Sequence, residues 1–145
     1  MERQLPKSIE LERELLLALL VGGDVKNLEG LHVKDFTDEL HAEVFGAMKQ
    51  VEARGIKWLE VEPVLVQIGA GQRRDLITVW IEKYRNSHGV AANIEFYKKS
   101  LRELRRRRAL ILLGCGLTKR CFDDLAEVGD TRMWLTRQLE RVDQL

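Results

Sequence analysis

The sequence predicts an all-α protein, a compact helical head followed by a C-terminal helical hairpin. Three observations carry that prediction. Apolar residues recur at steps of three and four, helix-starting and helix-stopping residues flank the periodic stretches, and no convincing period-two strand occurs. Val61 to Ile68 is β-branched enough to read either way. A chain of 145 residues, 45% hydrophobic and 32% charged, fits one structural unit that buries a core without disulfides or metals.

Leu5-Pro6-Lys7-Ser8 reads as a helix start, with Ser8 the N-cap and Glu10 and Glu12 in the first turn where the helix dipole favours them. Leu11, Leu15, Leu16 and Leu19 share a face, and Gly22-Gly23 ends the helix. A short helical turn is expected around Asp24 to Leu28. Thr37 or Asp38 then caps a helix whose Leu40, Val44, Ala47, Met48 and Val51 face one way, and Gly55 stands where a left-handed residue belongs. Pro63 suits the first turn of a helix over residues 60–68, because its missing N–H is unpaired there anyway, and Gly69-Ala70-Gly71 closes it.

A fifth segment, residues 73–84, places Leu76, Trp80 and Tyr84 at i, i+4 and i+8, and Asn86-Ser87-His88-Gly89 breaks it. The boundary between head (1–89) and hairpin (90–145) is expected near Ser87 to Val90. Leu11, Leu15, Leu19, Val44, Phe45, Met48 and Trp80 are expected to build the head. From Ile94 a stripe runs through Tyr97, Leu101, Leu104, Ile111, Cys115 and Phe122, interrupted by Arg108 and Thr118. Unbroken from Ala92 to Asp123, that helix is roughly 48 Å long at about 1.5 Å per residue, so it must project or find a partner. Asp130 is expected to cap a last helix with Leu135, Leu139 and Val142 inward, folded back as a hairpin.

The formal net charge of +1 conceals a pattern. Residues 1–97 carry 12 basic and 16 acidic side chains, residues 98–120 carry 9 and 1, and residues 121–145 carry 3 and 6. An anionic partner should therefore meet the middle segment first. Arg105, Arg106, Arg107 and Arg108 occupy a full helical turn. They form either a solvated basic face or a contact for nucleic-acid phosphates or an acidic protein surface. No aromatic residue is interleaved among them, so a stacking platform for single strands is not indicated. The block Ala109 to Leu113 with Leu117 is apolar around most of the helix, more than one hairpin partner needs, and a second copy of the chain would cover it.

Chemistry-bearing constellations are absent from the pattern. Gly114-Cys115-Gly116-Leu117-Thr118-Lys119 lacks the spacing and the strand-loop-helix context of a phosphate loop; its glycines instead admit a neighbouring helix or weaken this one. His32, His41 and His88 are scattered without metal-ligand spacing, His41 reads as a packing or hydrogen-bonding residue, and no nucleophile stands with a base. Neither an enzyme nor a cofactor or metal site is expected. Cys115 and Cys121 point about 120° apart on a helix and are expected as reduced, buried thiols. No cleavable signal sequence is recognisable and Leu15 to Val21 is too short to span a bilayer, so no membrane role and a cytoplasmic location are expected.

Three blocks carry a resemblance: Leu5-Pro6-x-Ser8-Ile9-Glu10-x-Glu12-x-x-Leu15-Leu16, then Asp35-Phe36 with His41-x-x-Val44-Phe45, then Ala91-Ala92-Asn93-Ile94-x-x-Tyr97. Together, in this order, they resemble the N-terminal domain of bacterial replicative DNA helicases of the DnaB type. The resemblance implies a helical head and a hairpin, with hairpins pairing into dimers that build the collar of a hexameric ring as a trimer of dimers. It also implies docking of primase or of a helicase loader during DNA replication. The family's RecA-like motor with its Walker A loop is absent, so the chain is read as non-catalytic by itself. It is either an N-terminal piece of a helicase or a stand-alone relative. Ile94, Tyr97, Leu101, Leu104, Ile111 and Phe122 are expected to pack the hairpin and its dimer contact, with Arg105 to Arg108 facing an acidic partner or, weakly, DNA. The alternative is a small nucleic-acid-binding or helicase-regulating protein that uses the arginine-rich helix directly.

Overall fold

The computed structural model describes residues 3–84, 93–123 and 125–145, without the side chains of Gln72 and Tyr84. The expected break at residues 86–89, the boundary beside it and His88 lie outside the described residues. Those described form six α-helices and two short 3-10 turns, and no strand: α1 (Ile9–Gly22), α2 (Glu39–Ala53), α3 (Val61–Ile68), α4 (Gln72–Tyr84), α5 (Ile94–Cys121) and α6 (Val128–Asp143), with 3-10 turns at Val25–Leu28 and Val33–Asp35. The ambiguous stretch Val61–Ile68 is helical, with Pro63 in its first turn. Two compact units emerge: residues 8–101, and residues 102–145 together with 1–7.

In the first unit, α2 is the hub, packed against α1, α3, α4 and both 3-10 turns. Its face Val44, Phe45, Ala47, Met48 and Val51 is buried, as are Leu15, Leu16 and Leu19 of α1. Local signals explain the helix ends. Ser8 Oγ accepts from Leu11 N–H at 3.3 Å, and Asp38 Oδ1 accepts from the N–H groups of Leu40 and His41 at 2.9 and 3.2 Å. Gly23 closes α1 in the left-handed region (φ 71°), and its carbonyl accepts from Leu59 N–H. That bond and the isolated bridge between Asp24 and Trp58 pin the chain between α2 and α3 beside the end of α1. Phe36 stacks on Phe45 at 4.8 Å.

One face was misassigned from periodicity. In α4 Leu76 is 51% exposed and Trp80 is half-buried, while Ile77 and Ile81 fill the core. Trp80 still contributes to the head, its ring 5.7 Å from that of His41.

In the second unit, α5 from residue 102 onward is accompanied by α6. Gly116 is where a Cβ would stand 3.1 Å from Trp134, so its missing side chain lets the indole approach; beside Gly114 there is open space. The Arg120 guanidinium lies 4.5 Å over the Trp134 ring. Three expectations are corrected. The helix α6 begins at Val128 with Glu127 as N-cap, so Asp130 sits inside the first turn, where its charge still favours the dipole but it caps nothing. Leu139 is 42% exposed rather than inward, whereas Val142 is buried. Cys115 and Cys121 are free thiols, but both are exposed.

Candidate assembly and docking surface

The predicted seam residues divide between two environments. Ile94 and Leu101 are buried in the core of the first unit, where Lys98, also buried, donates to the Glu29 carbonyl at 2.8 Å. Tyr97 is half-buried and meets Phe96 edge-on at 5.9 Å. Leu104 is half-buried, Ile111 is 43% exposed and Phe122 is exposed. The seam is therefore not one continuous free stripe: its first part is consumed inside the head, and its last part is open.

The arginine run is also divided. Arg106 donates through Nε and Nη2 to the Leu145 carbonyl oxygen at 3.1 and 2.7 Å, and Arg108 Nη1 donates to the Pro6 carbonyl at 2.8 Å. Arg107 stands 3.5 Å from Glu103 one turn earlier, an exposed pair worth little. Arg105 is half-buried and also engaged. Two of the four thus tie Pro6 and the residues that follow α6 to α5.

The arm is also open at residues off the predicted stripe: Leu110, Leu112, Leu125, Val128 and Met133 are all exposed. Near the α5–α6 turn a cavity of about 250 Å³ is bounded by Leu117, Cys121, Ala126, Val128 and Leu135, with Arg120 and Arg132 at its edge. Leu110 and Leu112 belong to the apolar block recognised in sequence; Leu125 and Val128 lie in a turn and a helix start that periodicity does not read.

Among the described residues no three histidine, cysteine or acidic side chains group to hold a metal ion. The buried titratable pair is Glu12 and His41, 3.6 Å apart. Glu12 Oε1 accepts from the N–H groups of Thr37 and Asp38 at 2.7 and 3.2 Å, and Oε2 from the Thr37 hydroxyl at 2.7 Å. Burial pushes this carboxyl up, but His41, the Thr37 hydroxyl and the two N–H groups outweigh that and hold it below its usual 4.5. A carboxylate held ionised across the start of α2 serves cohesion of the head. No described helix is long and apolar enough to cross a membrane.

The DnaB-like helicase N terminal domain family matches residues 4–103. The chain belongs to that family. A crystal structure of the N-terminal domain of DnaB helicase from Mycobacterium tuberculosis shares the fold, with a TM-score of 0.75 at 20% identity over 96% of this chain and 99% of that one. No curated protein matches the sequence. The family match stops at residue 103, two residues past the first unit, while the structural likeness necessarily continues through most of the arm.

Proposed function

We propose that this domain is a non-catalytic assembly and docking module of a replicative helicase, in which residues 90–145 pair with those of a second copy and the resulting collar receives primase or a loader. The observation that carries the reading is the arm's exposed apolar set, Leu110, Ile111, Leu112, Phe122, Leu125 and Val128, in a chain of the DnaB-like N-terminal domain family. Apolar surface of that kind on a small unit is covered by association rather than left in water. Dimers that combine into a trimer of dimers follow from the family resemblance.

The test is Ile111→Asp combined with Leu112→Asp. Both side chains are exposed, so the helix tolerates the charge, and light scattering should show the mass falling to that of a single chain with the helical circular dichroism unchanged. An unaltered mass removes the self-association reading. The helical C-terminal domain of primase should then be titrated against wild type and variant to separate docking from assembly. Direct nucleic-acid binding through Arg105 to Arg108 is the weaker reading, since Arg106 and Arg108 already donate to the main-chain oxygens of Leu145 and Pro6.

A further inference from the structure

The head carries a groove that the assembly reading does not use. It has a volume of about 530 Å³ and lies among the C-terminal half of α1, the start of α3 and the second half of α4. Its floor is aliphatic: Leu17, Leu59 and Ile81 are buried there, and Val21 stands on its wall 59% exposed. Among the described residues, the charged ones that line it are Glu60, Glu62 and Glu82. The hydroxyl of Thr78, also in the lining, is already donated to the Arg74 carbonyl at 2.9 Å.

Several glutamates of this unit are neutralised locally, Glu52 by Lys49 and Glu39 and Glu43 by Arg73. Glu60, Glu62 and Glu82 have no cationic partner among the described residues, and Glu60 leaves its own helix uncapped by its side chain. An apolar floor with an unneutralised acidic rim is complementary to one kind of ligand. We propose that this groove docks a basic amphipathic helix of another protein, its aliphatic side chains on the floor and its flanking lysines or arginines against Glu60, Glu62 and Glu82.

Division of labour follows from magnitudes. Exposed ion pairs contribute only about 0.2–1 kcal/mol each, so the apolar insertions supply most of the affinity. The glutamates speed encounter and reject acidic helices. The same rim repels nucleic acid from this face. The proposal rests on the docking half of the function above and not on self-association.

The experiment titrates the 15N-labelled chain with a synthetic amphipathic helical peptide, leucines on one face and lysines on its flanks, and with the same peptide carrying glutamates in place of the lysines. The lysine peptide should shift the amide resonances of Leu17, Val21, Glu60 and Ile81 and bind more weakly as salt rises. The glutamate peptide should leave them in place. Replacing Glu60, Glu62 and Glu82 together with Lys should weaken the lysine peptide by about tenfold or more with helicity unchanged, and Val21→Asp, from an exposed wall position, should do the same. Equal binding of both peptides, no shifts, or shifts centred on Leu110 to Leu112 instead would each overturn the proposal. If the groove amides shift with protein concentration alone and the Lys variant lowers the mass, the occupant is a second copy and the proposal is likewise overturned. Failure of the peptide with the dimer mass intact sinks the groove and leaves the assembly reading standing; a monomeric wild type that binds the peptide does the reverse.

Discussion

Removing the Glu12 carboxylate should weaken the head more than any single surface change, and by an amount that depends on pH in a defined direction. The side chain is fully buried and accepts from Thr37 N–H, Asp38 N–H and the Thr37 hydroxyl. Hydrogen bonds to a charged acceptor contribute about 1.5–3 kcal/mol each, but Thr37 is at the surface, where water replaces part of the loss. Glu12→Ala should therefore cost about 3 kcal/mol, a fall in melting temperature on the order of 10 °C. Glu12→Gln keeps one oxygen for the two N–H groups, and the Thr37 hydroxyl can rotate to accept from the amide. It loses the charge that the start of α2 and His41 favour, about 1 kcal/mol. Because the folded carboxyl titrates below its usual 4.5, its extra stability is complete above that value and disappears as pH falls through the lower folded value. Urea unfolding followed by circular dichroism at a series of pH values should show wild type and Glu12→Gln separated at neutral pH and converging in acid. A gap that stays constant with pH, or a Glu12→Ala loss below about 0.5 kcal/mol, would refute the assignment of Glu12 as an ionised tie.

Two further outcomes test the arm. Gly114→Ala, with open space at the new Cβ, should stabilise by about 0.5–1 kcal/mol, whereas Gly116→Ala should gain less or lose, because Trp134 must move from 3.1 Å; paired thermal melts and Trp fluorescence read the difference. Cys115 and Cys121 should react with a thiol reagent in the folded chain at dilution, without denaturant, and Cys115→Ser should change stability by less than about 0.5 kcal/mol.

What was legible from residue order was what neighbours in sequence decide. Ser8, Asp38, Gly23 and Gly55 act on N–H groups or torsions within a few residues of themselves, and the structure uses them as expected, Gly55 at φ 78°. The face of α4 was not legible. Leu76 with Trp80 and Ile77 with Ile81 both satisfy a helical period, and only tertiary packing against α2 and α3 selects the second pair. Glu12 was placed in the first turn of α1 on dipole grounds, which misses that its carboxylate reaches 25 residues ahead to the start of α2. Burial of the thiols was inferred from the habit of cysteine, and a two-helix arm has too little interior to honour it.

The arginine run, the loudest feature of the sequence, shows how charge and contact separate. A guanidinium that donates to a main-chain oxygen remains protonated, so residues 98–120 still carry their excess of basic side chains although Arg106 and Arg108 donate to Leu145 and Pro6. Binding and tying therefore predict opposite rankings of two adjacent substitutions. If the run exists to grip an anion, Arg107→Ala, at the most exposed member, should hurt most. If Arg108 is a tie, Arg108→Ala leaves the Pro6 carbonyl without that donor, at a cost of about 1 kcal/mol. Residues 1–7 should then be cleaved faster under limited proteolysis, while Arg107→Ala leaves the digestion pattern unchanged. Equal protection of the N-terminal segment in both variants would break the tie argument and return Arg108 to the surface available to a partner. Faster cleavage in Arg108→Ala alone would leave the exposed apolar residues of the arm as the part of the hairpin that selects what it holds.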